Sequence, residues 1–156
     1  MTPLLTACSG FLLAVLWMDL IFDVQVFKHT HAHADAELPE PVLASIAGYY
    51  RRATTTSRPM GRLIALVMLI LLGTLGFQAA DGRDPVWLLV ISGGAAGLPV
   101  ALALMRTVPN AIRLGSRVDP PEEQSRLARA VCQDHLICFA CMLGFLALWL
   151  TRGLQI

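Results

Sequence analysis

Apolar residues are concentrated in four blocks along the chain, at about residues 3–27, 60–80, 85–105 and 131–150. Each block approaches the roughly 20 residues that an α-helix needs to cross the hydrocarbon core of a bilayer. None of the blocks alternates apolar and polar residues with the period of two that barrel strands show. The pattern therefore predicts an all-α fold: an integral membrane four-helix bundle that forms a single domain over residues 1–156.

The connections between the blocks differ in length and chemistry. Residues 80–85 predict a short turn that makes the second and third helices antiparallel neighbours, with Asp84 as the N-cap of the third helix. Residues 42–54 have apolar side chains at helical spacing and predict an amphipathic helix at the membrane interface. The Asp-Pro-Pro-Glu sequence at residues 119–122 is typical of a helix start, so we expect the fourth helix to begin before its apolar block.

Composition and charge support a membrane location and narrow the partners. The chain is 56% apolar and 15% charged, whereas a soluble domain is about 45 to 50% apolar and about 25% charged. Its formal net charge is only +1, which gives no overall basic field for binding nucleic acid. We therefore expect membrane lipid as a partner and no nucleic acid.

The basic residues predict the orientation of the bundle. Short cytoplasmic loops carry an excess of Lys and Arg. Of the 12 basic residues, only Arg83 and Arg152 flank the turn side of the predicted bundle. The other ten flank the first and third connections: Lys28, Arg51, Arg52, Arg58, Arg62, Arg106, Arg113, Arg117, Arg126 and Arg129. Both long connections are thus predicted in the cytoplasm and both termini on the other side, with a bacterial inner membrane as the expected location.

Small residues on the third predicted helix indicate close helix packing. Gly93 and Gly97 are four residues apart, the spacing that lets two helices approach closely in lipid. Contact with another helix of the same chain is the simpler interpretation. Association of two copies into a homo-oligomer is the alternative.

Two acidic residues lie within the first predicted span. Asp19 and Asp23 are one helical turn apart, so both carboxyl groups project from one face of the helix. A charged Asp near the middle of a membrane costs about 2.5 to 3.5 kcal/mol on the insertion scale, so such residues usually face a bundle interior or an aqueous cavity. We interpret them as a buried acidic pair that lines a cytoplasm-facing pocket. The alternative is that Asp23 is interfacial and Asp19 only pairs with an arginine or a backbone group.

Three histidines follow the first span at alternate positions, as His29, His31 and His33. Neutral imidazole nitrogens, with carboxylates close by, are ligands for zinc, copper or iron. In an extended segment alternate residues share a face, so all three rings can point to one ion. The spacing predicts a transition-metal site, and a solvated polar loop is the alternative.

Polar residues from other helices are predicted at the same membrane face. Asn110 and Arg113 follow the third span, and His135 lies near the start of the fourth. Convergence of polar groups at one depth is typical of a pocket. We therefore expect His135 and Asn110 to act with Asp19 and Asp23 as catalytic residues, and Arg113 to bind a cofactor. Helix capping by Asn110 and an interfacial His135 are the alternatives.

The order of these residues resembles a known family. A Pro-Asn pair at Pro109 and Asn110, then Leu114, a polar helix and His135 at the start of the fourth span resemble the anthrone-oxygenase-like family of small four-span membrane proteins. The likeness covers mainly residues 100–150. It implies a four-span fold, a role for Asn110 and His135, and a lipophilic aromatic or quinone-like substrate.

Three function classes follow from these observations. The first is an enzyme that acts on a lipophilic small molecule taken from the bilayer. The family resemblance implies that such an enzyme is an oxidoreductase. The second is a transport module in which Asp19 and Asp23 bind a cation or proton, or the histidines bind a metal. The third is a membrane interaction or scaffold protein whose polar groups only hold helices together.

Overall fold

The computed structural model describes residues 1–29, 37–56 and 58–154, and all elements within these ranges are helical. A short 3-10 segment follows α1, and π-helical segments follow α2 and α4. In chain order the elements are α1 (Thr2–Asp23), the 3-10 segment (Val24–His29), α2 (Glu40–Arg51), a π segment (Arg52–Thr56), α3 (Arg58–Asp81), α4 (Val86–Leu102), a π segment (Ala103–Thr107), α5 (Val108–Ser116) and α6 (Pro121–Leu154).

Among the described residues, four helical stretches are long and apolar enough to cross a membrane, as the four apolar blocks predict. They are Thr2–Phe27, Pro59–Asp81, Val86–Ser116 and Pro121–Leu154. Their outward surfaces are apolar: Trp17, Leu69, Val90 and Leu143 are each more than half exposed. Such side chains are stable on an outer surface when lipid surrounds it. The all-α membrane bundle is therefore confirmed.

The third and fourth stretches are longer than the apolar blocks. After α4 the chain continues helically through the π segment Ala103–Thr107 into α5. Pro99 lies inside α4, where its ring removes one backbone hydrogen bond donor and crowds the preceding turn. The fourth stretch, α6, runs unbroken for 34 residues, so its polar first turns lead directly into the apolar part.

Most of the bundle is held together by an apolar core between α1, α3, α4 and α6. A polar contact joins α4 and α6 within this core: Trp149 Nε1 donates a hydrogen bond to Ser92 Oγ at 3.0 Å. Burial of an indole normally requires such a partner for its N–H group. The buried residues of this core are Leu5, Cys8, Leu12, Leu71, Leu75, Leu88, Ala96, Met142, Phe145 and Trp149.

A second core lies at the opposite end of the molecule from the turn between α3 and α4. We call this end the α2 end and the other the turn end. Here α2 buries one face against α5 and the first turns of α6, so the predicted amphipathic helix packs on protein along its apolar side. The buried residues are Val26, Leu38, Leu43, Ile46, Tyr50, Ala111, Leu114, Leu127, Ala128 and Val131.

Gly115 allows α2 and α5 to come into backbone contact. A Cβ atom at this position would lie 2.8 Å from the backbone nitrogen of Arg51, closer than real Cβ contacts allow. The next turn is fixed by Arg117, which adopts a left-handed conformation with φ 56° and donates hydrogen bonds to both oxygens of Glu40 at 2.6 and 2.8 Å. These contacts set the position of α2, and therefore of its tyrosines.

Two local expectations are wrong. Asp84 does not cap α4, because Pro85 occupies the N-cap and the Asp84 carboxylate instead accepts hydrogen bonds from Gln78 and Arg152. Gly93 and Gly97 do not make the expected close packing within the chain, since a Cβ atom at either position would have no neighbour within 4 Å. The homo-oligomer prediction stays a prediction.

Candidate functional site

Asp23 is the last residue of α1 and is only 1% exposed. Both of its carboxylate oxygens have partners from other helices. Tyr50 donates its hydroxyl proton to Oδ1 at 2.6 Å, and His135 Nδ1 lies 2.6 Å from Oδ2. A buried carboxylate is stable only when such polar partners replace its water. Asp23 thus connects α1, α2 and α6 at one point.

Asp19 lies one helical turn before Asp23 on the same face of α1. Tyr49 donates its hydroxyl proton to Asp19 Oδ1. The other oxygen, Oδ2, is 3.9 Å from His135 Nε2. This distance is too long for a direct hydrogen bond but leaves the two atoms facing each other across a gap that one polar atom can bridge.

The two tyrosines reach the two carboxylates because they are adjacent on α2. The Tyr49 ring stacks on Phe22 with centroids 4.1 Å apart, and the Tyr50 ring lies against His135. Burial, together with the hydrogen bond to Asp19, raises the pKa of the Tyr49 hydroxyl above its ordinary value. Burial and the negative charge of Asp23 raise the pKa of Tyr50 in the same way. Both hydroxyls therefore stay protonated and act as hydrogen bond donors at physiological pH.

The contacts of His135 determine which of its nitrogens is available for chemistry. An ionised Asp23 can only accept hydrogen bonds, and Tyr50 already donates its proton to that carboxylate. The Nδ1 atom must then carry the proton in the contact with Asp23. The other nitrogen, Nε2, faces Asp19 and can take up or release a proton. A carboxylate that orients a histidine in this way is a recurrent feature of acid–base centres.

Two cavities share Asp19 and His135 in their walls. The deeper one has a volume of about 210 Å³ and is lined mainly by apolar residues: Leu12, Val15, Leu16, Ile64, Met68, Pro99, Ala103, Val108, Cys138 and Met142. The second has a volume of about 560 Å³ and extends toward the α2 end beside Tyr50, Thr54 and Arg62. An apolar cavity with a few convergent polar groups is the usual form of a small-molecule site.

The wall of the deeper cavity includes part of the π segment Ala103–Thr107. Thr107 donates its hydroxyl proton to Asp134 Oδ2 at 3.2 Å, and Arg106 Nη2 lies 3.0 Å from Asp134 Oδ1 as an ion pair. Asp134 is fully buried, so these contacts replace its water and hold the π segment against α6. Single π-helical turns often occur at functional sites.

Of the predicted catalytic residues, the structure brings Asp19, Asp23 and His135 together. Asn110 is half-buried but lines neither of these cavities. Arg113 lies six residues after Thr107, about 120° around the helix from it, because successive residues turn by about 100°. Its guanidinium pairs with Asp119 and Glu123 at 2.9 and 3.1 Å instead. The structure does not bring Asn110 and Arg113 together with the other three, and their catalytic and cofactor-binding roles stay predictions.

The predicted metal ligands are outside the part of the chain that can be described. His31 and His33 lie outside the described residues, and so does the side chain of His29. Over residues 1–29, 37–56 and 58–154, no group of three or more His, Cys, Asp or Glu side chains has an arrangement that could hold a metal ion. A transition metal at the three histidines stays a prediction.

Sequence reasoning did not identify Tyr49 and Tyr50 as site residues. Their spacing with Leu43 and Ile46 makes them resemble part of an apolar helix face. One signal was available: adjacent residues on a helix point about 100° apart, so the two hydroxyl groups reach different partners. A buried tyrosine hydroxyl needs a partner, and two buried carboxyl groups were predicted at the same membrane face.

The chain matches no protein-family model, and comparisons with curated proteins and with solved structures return no match either. The resemblance to the anthrone-oxygenase-like family stays a prediction.

Proposed function

We propose that this chain is a membrane enzyme that performs acid–base chemistry on a lipophilic small molecule. His135 is the proposed general acid or base, and its Nε2 exchanges a proton with the substrate. Asp23 orients the ring, and Asp19 holds a polar atom of the substrate opposite Nε2. The observation that carries the proposal is the contact of 2.6 Å between Asp23 and His135 Nδ1, because it directs Nε2 to the walls of two cavities.

The apolar walls support a lipophilic substrate. The deeper cavity offers Met68, Met142 and Leu16 to the substrate, with Asp19 and His135 at its polar side. Burial of apolar surface then favours binding, while two polar groups fix the orientation. An aromatic or quinone-like molecule, which the family resemblance implies, fits this proposal because a phenol-type molecule offers an acidic proton to Nε2 and a quinone-type carbonyl accepts one from it.

A two-step experiment tests the proposal. Protein purified in mild detergent is extracted with organic solvent, and the retained molecules are identified by mass spectrometry. Wild type is compared with Ala103→Phe, which fills the deeper cavity, and with Ala101→Phe, which changes an exposed position on the same helix. We expect wild type and Ala101→Phe to retain a lipophilic molecule that Ala103→Phe lacks. Identical extracts from all three proteins would argue against a ligand site.

The second step tests the chemistry. The retained molecule is incubated with protein in deuterium oxide, and deuterium uptake is followed by mass spectrometry. We expect wild type to accelerate exchange at one position of the molecule and His135→Gln to retain the molecule without accelerating exchange. Equal exchange rates for both proteins would contradict the role of His135. A pure scaffold protein would show neither retention nor exchange.

A transport function is the second candidate, because Asp19, His135 and Asp23 form a continuous set of proton-binding groups. The packed core between this set and the turn end, with Leu5, Phe145 and Trp149 fully buried, counts against a continuous path. Proteoliposomes with a pH-sensitive dye distinguish the two functions. Transport predicts proton flux that Asp19→Asn reduces, whereas the proposed enzyme predicts no flux in either protein.

The charge distribution supports a cytoplasmic α2 end in a bacterial inner membrane. Ten of the 12 basic residues flank the connections at that end. A reporter enzyme that is active only outside the cytoplasm, fused to the C-terminus, tests this orientation. We expect an active fusion; an inactive fusion, together with an active one inserted at residues 117–119 between α5 and α6, would reverse the orientation.

A further inference from the structure

Two arginines line the openings of the cavities at the α2 end. Arg62, in the first turns of α3, lines the cavity that contains Asp19, Tyr50 and His135. Arg52, in the π segment after α2, lines a neighbouring cavity of about 340 Å³ that also contains Asp19 and Tyr49. Within the described ranges of the chain, neither guanidinium has an ion-pair partner.

Chain order gives the depth of each wall residue. Arg62 precedes Met68 by six residues on α3, which places Met68 about 9 Å further into the bundle at 1.5 Å per residue. On α6, His135 precedes Met142 by seven residues in the same direction, about 10 Å. Arg62 and Met68 thus belong to opposite ends of the two cavities, with His135 and Asp19 in both walls where the cavities meet. A molecule that fills both cavities meets cations at one end and apolar side chains at the other.

The acidic residues do not cancel the positive charge at the opening. Asp23 is enclosed by Tyr50 and His135, and Asp19 is bonded to Tyr49 and faces His135, so both carboxylates already have partners. The guanidinium groups remain available to an anion. A guanidinium offers a planar set of N–H donors that matches the two oxygens of a carboxylate or phosphate.

From this arrangement we infer the substrate class: an amphiphile with an acidic head group, a carboxylate or a phosphate, which Arg62 and Arg52 hold at the opening while its apolar part occupies the deeper cavity. This inference rests on the proposed function, since it uses the same cavity. It adds that Arg62 and Arg52 determine specificity. In this arrangement the part of the molecule that follows the head group lies beside Asp19 and His135.

Photolabelling tests the inference. The probes are decanoic acid and decanol that carry the same diazirine group near the end of the chain. Each probe is crosslinked to protein in an uncharged detergent, and the labelled peptides are mapped by mass spectrometry. We expect both probes to label the peptide around Met68, the acid about tenfold more at equal low concentration because it alone pairs with guanidinium.

Four variants separate the contribution of the arginines to probe labelling from the contribution of the deeper cavity. Arg62→Gln and Arg52→Gln should each reduce labelling by the acid severalfold, and leave labelling by the alcohol unchanged. Arg83→Gln, at the turn end, is the matched control and should change neither. Ala103→Phe should remove cavity labelling by both probes. Thermal unfolding of each variant confirms that loss of labelling does not come from loss of the fold.

The outcomes distinguish the inference from the proposed function. If acid and alcohol label the cavity equally and the arginine variants change nothing, the inference is overturned and the lipophilic site stands. If Ala103→Phe leaves the labelling unchanged while the arginine variants reduce it, the arginines bind head groups from the lipid side, which also overturns the inference. If neither probe labels the cavity peptides in wild type, the proposed function fails together with it.

Discussion

His135 Nδ1 lies 2.6 Å from Asp23 Oδ2, although 112 residues separate the two in the chain. The contact joins the end of α1 to the middle of α6, and both side chains are buried. A buried ion or dipole pair of this kind adds little net stability compared with apolar packing. It does give the histidine ring one orientation, and Nε2 thereby faces Asp19 and the cavities.

Tyrosine ionisation reports directly on this cluster, because Tyr49 and Tyr50 are the two tyrosines of the chain. Burial and the neighbouring carboxylates raise the pKa of both hydroxyls. We therefore expect no phenolate absorbance in the folded protein at pH about 10, the ordinary pKa of tyrosine, and about half ionisation at that pH once denaturant unfolds the chain. Titration by near-ultraviolet absorbance measures both states, and half-ionised tyrosine in the folded protein at pH about 10 would contradict the cluster.

The same shift fixes the sign of the pH dependence of stability. The folded pKa values exceed the unfolded value of about 10, so the folded state holds these protons more tightly. The contribution of the tyrosines to the free energy of unfolding is then fully present below pH about 10 and decreases as the pH rises above it. Thermal unfolding at a series of alkaline pH values measures this decrease. Tyr49→Phe and Tyr50→Phe together should flatten the curve.

Gly115→Ala should separate α2 from α5. The added methyl group meets the Arg51 backbone, which cannot rotate away, and such overpacking costs about 1 to 3 kcal/mol. We expect a lower thermal midpoint and tyrosine pKa values closer to about 10. Gly48→Ala, on the α2 side of the contact, is the control, because a Cβ atom there would meet no neighbour within 4 Å. We expect this variant to be neutral or to stabilise the fold by about 0.5 to 1 kcal/mol. Equal effects of both variants would exclude the close contact.

Trp149→Phe should destabilise the core near the turn end. It removes the hydrogen bond to Ser92 and leaves that buried hydroxyl without its donor, a loss of about 1 to 3 kcal/mol for a buried unsatisfied group. Trp87→Phe makes the same chemical change at a position that is 59% exposed, and we expect almost no effect there. Unfolding midpoints in one detergent compare the two. A larger effect at Trp87 would show that the core is packed differently.

Metal titration tests the predicted metal site at His29, His31 and His33. We expect purified wild type to bind about one zinc, copper or iron ion per chain, and a variant with all three histidines replaced by Ala to bind none. Elemental analysis after metal titration gives the ratio. Absence of uptake by wild type, purified without chelator, would leave the solvated polar loop as the correct interpretation.

The sequence predicted the fold well because its signals are local. Length and apolarity of a block decide whether a helix can cross a bilayer, and the four blocks are long and distinct. The same topology correctly brought Asp19, Asp23 and His135 to one end. The site was not predicted where the direction of a side chain around its helix axis determines whether it faces the site. Arg113 points away from the other site residues, and Tyr50 points toward them. Phase along α5 depends on the π segment at Ala103–Thr107, which adds a residue to the turn and is not visible in the pattern of residues.

The protonation state of the His135 ring shows whether Nε2 is the nitrogen that exchanges a proton with the substrate. In a variant with His29, His31 and His33 replaced by Gln, nitrogen NMR of isotope-labelled histidine observes this ring alone. We expect Nδ1 to carry a proton at every pH, Nε2 to be the nitrogen that titrates, and Asp23→Asn to shift the Nδ1 resonance. A fixed proton on Nε2, unaffected by Asp23→Asn, would contradict the proposed role of His135.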